Sequence, residues 1–215
     1  MVSPRHTRRA VFAWTLGAFA APAFAAPAAR PKVITMLGDS ITAGYGLPAA
    51  QALPNQLHLA LAKLGVPNVV RAAGVSGDTT AGGVSRVDFS VQKDTDLAIV
   101  ALGANDLLQG LDPKATRANL DRILKRLEAR RIPALLTGIV APVEIGGAYA
   151  RDYNAIFPAL AKAHHAPLYP NLVEGVARIP ALNQADGIHP NARGAQIIAA
   201  KLAPVVAKAL TSRRP

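Results

Sequence analysis

The residues best placed to do chemistry fall in four short polar blocks, each containing glycine. They are Gly38-Asp39-Ser40-Ile41, Gly74-Val75-Ser76-Gly77-Asp78-Thr79, Gly103-Ala104-Asn105-Asp106 and Asp186-Gly187-Ile188-His189-Pro190-Asn191. A serine hydroxyl becomes a useful nucleophile only when a base removes its proton, and a neutral imidazole is the natural base near neutrality. A carboxylate completes the set by fixing the imidazole tautomer. Asp186 and His189 are separated by a glycine-containing turn, so one loop can present both side chains together. Attack by Ser40 on an acyl carbon would create an oxyanion that needs fixed donors. The candidates are the Ser40 N–H on a strand-to-helix turn, the Gly77 N–H, which no Cβ shields, and the Asn105 side-chain amide. Losing one such donor typically costs about 2.7–4 kcal/mol of transition-state stabilisation.

These blocks are useful only if the fold brings them together. Apolar runs at residues 33–37, 68–72, 97–102 and 134–140 predict four strands, and residues 167–169 a weak fifth. Between them lie helical patterns. One opens at Pro54 and carries Leu57, Leu61 and Leu64; one begins near Thr79 and is weakened by Gly82 and Gly83. A long one follows Pro113, with Leu120, Ile123, Leu124 and Leu127 at helical spacing. Another spans residues 149–165, with a kink or interruption expected at Pro158, and Asn191 caps a last helix disturbed at Pro204. Apolar strands alternating with helices predict an α/β fold: a three-layer α/β/α sandwich around a five-stranded parallel sheet. The expected strand order is 2-1-3-4-5, the flavodoxin-like arrangement. Ligands of such sheets bind outside the carboxyl ends of the strands, near the switch point. Each block follows a strand, so all four should share one crevice.

Composition sets the outer limits. The chain has 215 residues, 51% apolar and 17% charged, which suits one globular domain. Arg5, Arg8 and Arg9 precede an uncharged stretch from Ala10 to Ala29, and Ala23-Phe24-Ala25 offers a small-x-small cleavage pattern. Residues 1–25 therefore read as a cleavable signal peptide, and residues 26–215 as a single domain in a periplasmic or secreted protein. The chain contains no cysteine, which excludes a cysteine nucleophile, thiolate metal sites and disulfide stapling. The formal charge is +11; without residues 1–25, Lys plus Arg falls from 24 to 21 against 13 acids, a charge of +8. Basic residues are interspersed with acids, and aromatic residues are only 5%, so a stacking platform for nucleic acid is lacking.

The four blocks, in this order and at these intervals, resemble the SGNH (GDSL) hydrolases, specifically the bacterial periplasmic branch of thioesterases, lysophospholipases and arylesterases. The resemblance covers approximately residues 32–210. It implies the SGNH-hydrolase fold, a catalytic set of Ser40, Asp186 and His189, and an oxyanion hole of Ser40, Gly77 and Asn105. It also implies hydrolysis of acyl esters or thioesters through an acyl-enzyme on Ser40, with no cofactor and no metal. Expected partners are a small-molecule acyl ester, thioester or lysophospholipid, with transient contact with membrane lipid, no nucleic acid, and a monomeric state. The sequence departs from the branch at Ala104, where Gly is common, and at Ala72-Ala73, where Asn often follows the strand. Neither change touches a catalytic position.

Asp39 is expected to brace loop backbone and not to catalyse, Asp106 to cap or brace its own loop, and Asp78 and Thr79 to start a helix. His58, His164 and His165 lie on predicted helices and need no special function. Leu47, Leu107, Leu108, Leu111 and Ile145 could line an acyl pocket or simply pack in the core. A metal-dependent phosphoesterase would need several His and carboxylate ligands, but no D-x-H occurs and only His189 falls in a strand-end block. A carbohydrate O-acetyl esterase using the same triad is an alternative substrate reading. A catalytically inactive binding module is the alternative of another class.

Overall fold

The structure, a computed structural model, describes residue 1 and residues 30–212. The predicted leader, Met1 apart, lies outside the described residues. Strands form where unbroken apolar runs can be buried on both sides. These are β1 (Lys32–Gly38), β2 (Asn68–Gly74), β3 (Leu97–Ala101), β4 (Ala134–Thr137) and β5 (Leu168–Tyr169). All pair in parallel, in the order β2-β1-β3-β4-β5. The expected strand order and the expected α/β/α layering are both found.

The alternation of side chains along each strand splits the core in two. Ile34, Met36 and Ile99 point to one face, where they meet Leu57 and Leu61 of α2 (Leu53–Lys63) and Ile198, Leu202 and Val206 of α8 (Ala192–Thr211). Leu37, Val100 and Leu136 point to the other. There they pack against α3 (Thr80–Ser90), α5 (Pro113–Ala129), α6 (Gly147–Asn154) and α7 (Ile156–Ala163). The helix after β1 and the helix after β3 therefore cover opposite faces, and the crevice between them opens above the neighbouring ends of β1 and β3. That is the switch point of the sheet. By length and composition alone α8 could cross a bilayer, but its apolar stripe is spent on the core beside α2.

The interruption expected from Pro158 is present and falls three residues before it, at Ala155 between α6 and α7, because the proline has no N–H for the Asn154 carbonyl and its ring crowds that carbonyl. Other elements depart from the sequence expectation for identifiable reasons. Pro204 stays within α8, and Ala200, whose carbonyl loses its donor, is exposed to water. β4 stops at Thr137, three residues early. Its neighbour β5 ends at Tyr169, and beyond it the Gly138 carbonyl accepts from the Leu172 N–H, so the regular ladder does not continue. The block after β3, expected as a loop, forms the short helix α4 (Ala104–Leu108).

The sheet register aligns the site-bearing loops. Gly38 pairs with Gly74 on one side and with Ala101 on the other, so three chains leave the sheet at one level. Gly74 also lets α1 (Ser40–Ala43) lie directly on β2. A Cβ there would sit 2.3 Å from the Ala43 nitrogen and 2.7 Å from the Asp39 carbonyl oxygen, both backbone atoms. Gly74→Ala is therefore expected to destabilise the protein by roughly 1–3 kcal/mol, the usual cost of overpacking, measured as a lower denaturant midpoint at unchanged slope.

Candidate active site

Ser40 is the first residue of α1, and its N–H belongs to the first turn, where amides have no helical acceptor. Asp39 caps this helix, accepting from the Ile41 N–H at 3.1 Å. The helix lasts one turn, because Gly44 takes the left-handed conformation, φ 76°, and ends it. A strand, a sharp turn and a short helix thus hold the Ser40 hydroxyl at the crevice.

The fourth block arrives from the far end of the chain on a tightly pinned loop. Gly187, at φ 70°, makes the turn between Asp186 and Ile188. The Gln184 N–H donates to the His189 carbonyl at 2.8 Å, and the Asn191 N–H to the Leu182 carbonyl at 2.9 Å. Asn191 also caps α8, accepting from the Gly194 N–H at 3.0 Å, so the loop's exit is fixed by the helix it starts. Within the loop, one Asp186 oxygen accepts from the Ile188 and His189 backbone N–H groups at 2.9 and 3.0 Å. The other Asp186 oxygen is 2.6 Å from His189 Nδ1. His189 Nε2 lies 2.8 Å from Ser40 Oγ.

This geometry dictates the protons. The backbone N–H of His189, its ring N–H and the Ile188 N–H together hold the Asp186 carboxyl down to about 2. It is an ionised acceptor throughout the neutral range, so Nδ1 of a neutral His189 ring must carry the proton. Nε2 is then left bare, with its lone pair toward the Ser40 hydroxyl. The arrangement can remove the serine proton and keep the resulting imidazolium beside a carboxylate.

Gly77 and Asn105 sit above the ends of β2 and β3. The Val75 N–H donates to the Gly38 carbonyl at 3.1 Å, tying the second block to the first. Gly77 takes φ 82°. Asn105 donates one side-chain N–H to the Asp78 carbonyl at 2.9 Å, next to Gly77, leaving its second amide hydrogen for another acceptor. Asp106 braces this block as expected: buried, it accepts from the Thr80 N–H at 2.8 Å and from the Thr80 and Thr116 hydroxyls.

Sequence reasoning passed over some neighbours. The Tyr45 ring lies 4.6 Å from the His189 ring, and Gln184 clamps this contact by donating to the Tyr45 and Pro190 carbonyls at 2.8 and 3.0 Å. The buried Tyr153 donates to the Gly103 carbonyl at 2.6 Å, fixing the third block from beneath. Tyr45 stands between Gly44 and Gly46 close to the serine, a faint signal; Gln184 and Tyr153 carried none. Of the apolar candidates, Leu47 lines the small cavity beside Ser40 and His189, and Leu107 packs on the core. Leu108, Leu111 and Ile145 are exposed. His164 is not a plain surface residue: its ring nitrogens lie 2.8 Å from Asp121 and 2.8 Å from Glu128, joining α7 to α5.

With this geometry in view, residues 36–197 match the GDSL-like lipase/acylhydrolase family. The chain is similar to thioesterase 1/protease 1/lysophospholipase L1 of Escherichia coli, 36% identical over 182 residues, covering 84% of this chain and 86% of that one. It is similar to esterase TesA of Pseudomonas aeruginosa, 34% identical over 163 residues, covering 75% and 81%. Among solved structures, AlinE4, an SGNH-hydrolase family esterase, superposes with a TM-score of 0.71 at 44% identity, covering 86% of this chain and 99% of that one.

The site contains a second carboxylate in the opposite situation. Asp39 is buried, and burial raises its pKa to about 6 despite the Ile41 N–H, against 3.8 for the free side chain. A carboxyl whose folded pKa is raised disfavours the folded state when ionised. The penalty is complete above about 6 and disappears as the pH falls below the ordinary value. Asp39→Asn keeps the helix-capping acceptor and never ionises. Its stability relative to the wild type is expected to rise between pH 4 and pH 8 by on the order of 2–3 kcal/mol, followed by urea unfolding at each pH.

Proposed function

The chain belongs to the GDSL-like lipase/acylhydrolase family, and on that footing we propose that it is a serine esterase. In this reading it cleaves acyl esters and thioesters, including lysophospholipids, through an acyl-enzyme on Ser40. The observation that carries the reading is the hydrogen-bonded chain from Ser40 Oγ to His189 Nε2 and from His189 Nδ1 to Asp186. Ser40 attacks the acyl carbon as Nε2 takes its proton. The oxyanion is received by the Ser40 and Gly77 N–H groups and the free amide hydrogen of Asn105. His189 then returns the proton to the departing oxygen or sulfur. Water, activated by the same imidazole, releases the acid and restores the hydroxyl. Asp186 holds the ring and balances the imidazolium charge without itself becoming protonated.

The substrate class is supported by what surrounds these groups. Tyr45, Val75, Leu108, Leu111, Ile145 and Ile188 are large apolar residues exposed on the segments that follow β1, β2, β3 and β4 and on the His189 loop. An acyl chain laid across this edge would cover apolar surface at roughly 25 cal/mol per Å². The E. coli relative is named as a thioesterase and lysophospholipase, and the P. aeruginosa relative as an esterase. The enzyme acts as a monomer in the periplasm or outside the cell after removal of residues 1–25, and meets lipid only in passing.

A panel of p-nitrophenyl esters from acetate to palmitate tests the reading. Ser40→Ala and His189→Ala are each expected to lower kcat by roughly 10⁴-fold or more with the fold intact, and Asp186→Ala by less. Wild-type turnover in either of the first two would overturn the assignment. A stoichiometric phosphonate adduct on Ser40 is expected, and a binding module without activity would remain unlabelled. Because Asp186 is held down to about 2, its protonation should leave no mark on the kcat/KM profile between pH 4 and pH 8.

A further inference from the structure

Arg86 projects from α3 toward the catalytic edge of the sheet, and its guanidinium bonds to three separate pieces of the site. Nε donates to an Asp78 carboxylate oxygen at 2.7 Å, one terminal nitrogen to the Ala73 carbonyl at 2.7 Å, and the other to the Gly38 carbonyl at 2.7 Å. A further contact runs to the Ser90 hydroxyl at 3.2 Å. The charge pair is largely removed from water, with side-chain exposures of 17% for Arg86 and 11% for Asp78. The helix is shaped to admit it. A Cβ on Gly82 would fall 1.7 Å from an Asp78 carboxylate oxygen, so the glycine that weakens α3 makes the space for this carboxylate.

The three acceptors are not arbitrary. Gly38 is two residues before Ser40, Ala73 is the last β2 residue but one and directly precedes the second block, and Asp78 follows Gly77. The Asp78 carbonyl is also the acceptor that holds the Asn105 amide. The stretch from Val75 to Gly77 is exposed, and a Cβ at Gly77 would meet nothing within 4 Å, so packing does not fix this turn. It is held at its start by the Val75 N–H on the Gly38 carbonyl and at its end by Asp78. We propose that Arg86 is a positioning residue of the oxyanion hole: by locking Asp78 to the ends of β1 and β2, it sets the Gly77 N–H and the Asn105 amide relative to Ser40. The planar fork of a guanidinium can meet three acceptors at fixed angles, which an ammonium cannot. Arg86 touches neither substrate nor reacting atoms. The inference rests on the reading of Gly77 and Asn105 as oxyanion donors.

The test is a double-mutant cycle on p-nitrophenyl butyrate hydrolysis, using Arg86→Ala, Asn105→Ala and the pair, assayed well below the unfolding temperature of each. Arg86→Ala is expected to lower kcat by roughly 10- to 100-fold, less than deleting a donor outright, with KM and the acid limb of the pH profile unchanged. In the Asn105→Ala background the same substitution should cost at least about threefold less, because one donor it positions is already gone. If Arg86→Ala does not fold, Arg86→Lys carries the same cycle, since it retains the charge beside Asp78 without the fork. An undiminished loss in the Asn105→Ala background, or unchanged kcat in the single variant, overturns the role of Arg86. Wild-type kcat in Asn105→Ala overturns instead the reading of Asn105 as a donor, so the two failures are distinct.

Discussion

The 2.8 Å contact between Ser40 Oγ and His189 Nε2 joins residues 149 positions apart, and the layers of the fold must agree for it to form. The parallel sheet has to deliver β1 between β2 and β3, with Gly38 level with Gly74 and Ala101. The last crossover has to return from β5 at the far edge to the face covered by α2, where α8 packs. Only then does the loop capped by Asn191 hang above the serine. A slip of one residue in the β1 register would reverse which side chains face each half of the core, so the burial of Ile34, Met36 and Leu37 also enforces the site geometry.

Two carboxylates near this contact show how environment, and not residue type, assigns roles. Asp186 is partly open to water and surrounded by N–H groups, which hold it ionised down to about 2. Asp39 is buried with one backbone donor, and burial lifts it to about 6. The first is suited to orient a base. The second caps α1 beneath Ser40 and gains its place at an electrostatic cost. Divergent environments for paired acids are a recurrent feature of hydrolytic sites.

The rest of the polar site is a brace around flexible backbone. Asp106, Tyr153 and Gln184 each spend their hydrogen bonds on a glycine-containing loop or its immediate neighbour. Loops that must present bare N–H groups cannot be stiffened by their own side chains, so the stiffness comes from residues on adjacent elements. This is why the braces lie far in sequence from what they hold: Tyr153 is 50 residues from Gly103, and Gln184 is 139 residues from Tyr45.

The linear chain carried the elements whose causes are local. Apolar runs announced β1 and β3, leucines at helical spacing announced α2 and α5, and the four polar blocks announced the loops that meet at one edge of the sheet, because burial periodicity and turn residues are written in adjacent positions. It announced the break between α6 and α7 through Pro158, a local cause, but misplaced the end of β4 and missed the helical state of Ala104–Leu108. β4 ends where the Gly138 carbonyl takes the Leu172 N–H, a partner beyond the end of β5. The braces were silent for the same reason: Arg86 reads as one more basic helix residue until folding sets it against Gly38, Ala73 and Asp78. Local pattern thus specified which residues would be strands, helices and reactive loops. Distances, proton positions and carboxylate pKa values came only with packing, because they depend on burial and on partners that chain order does not bring together.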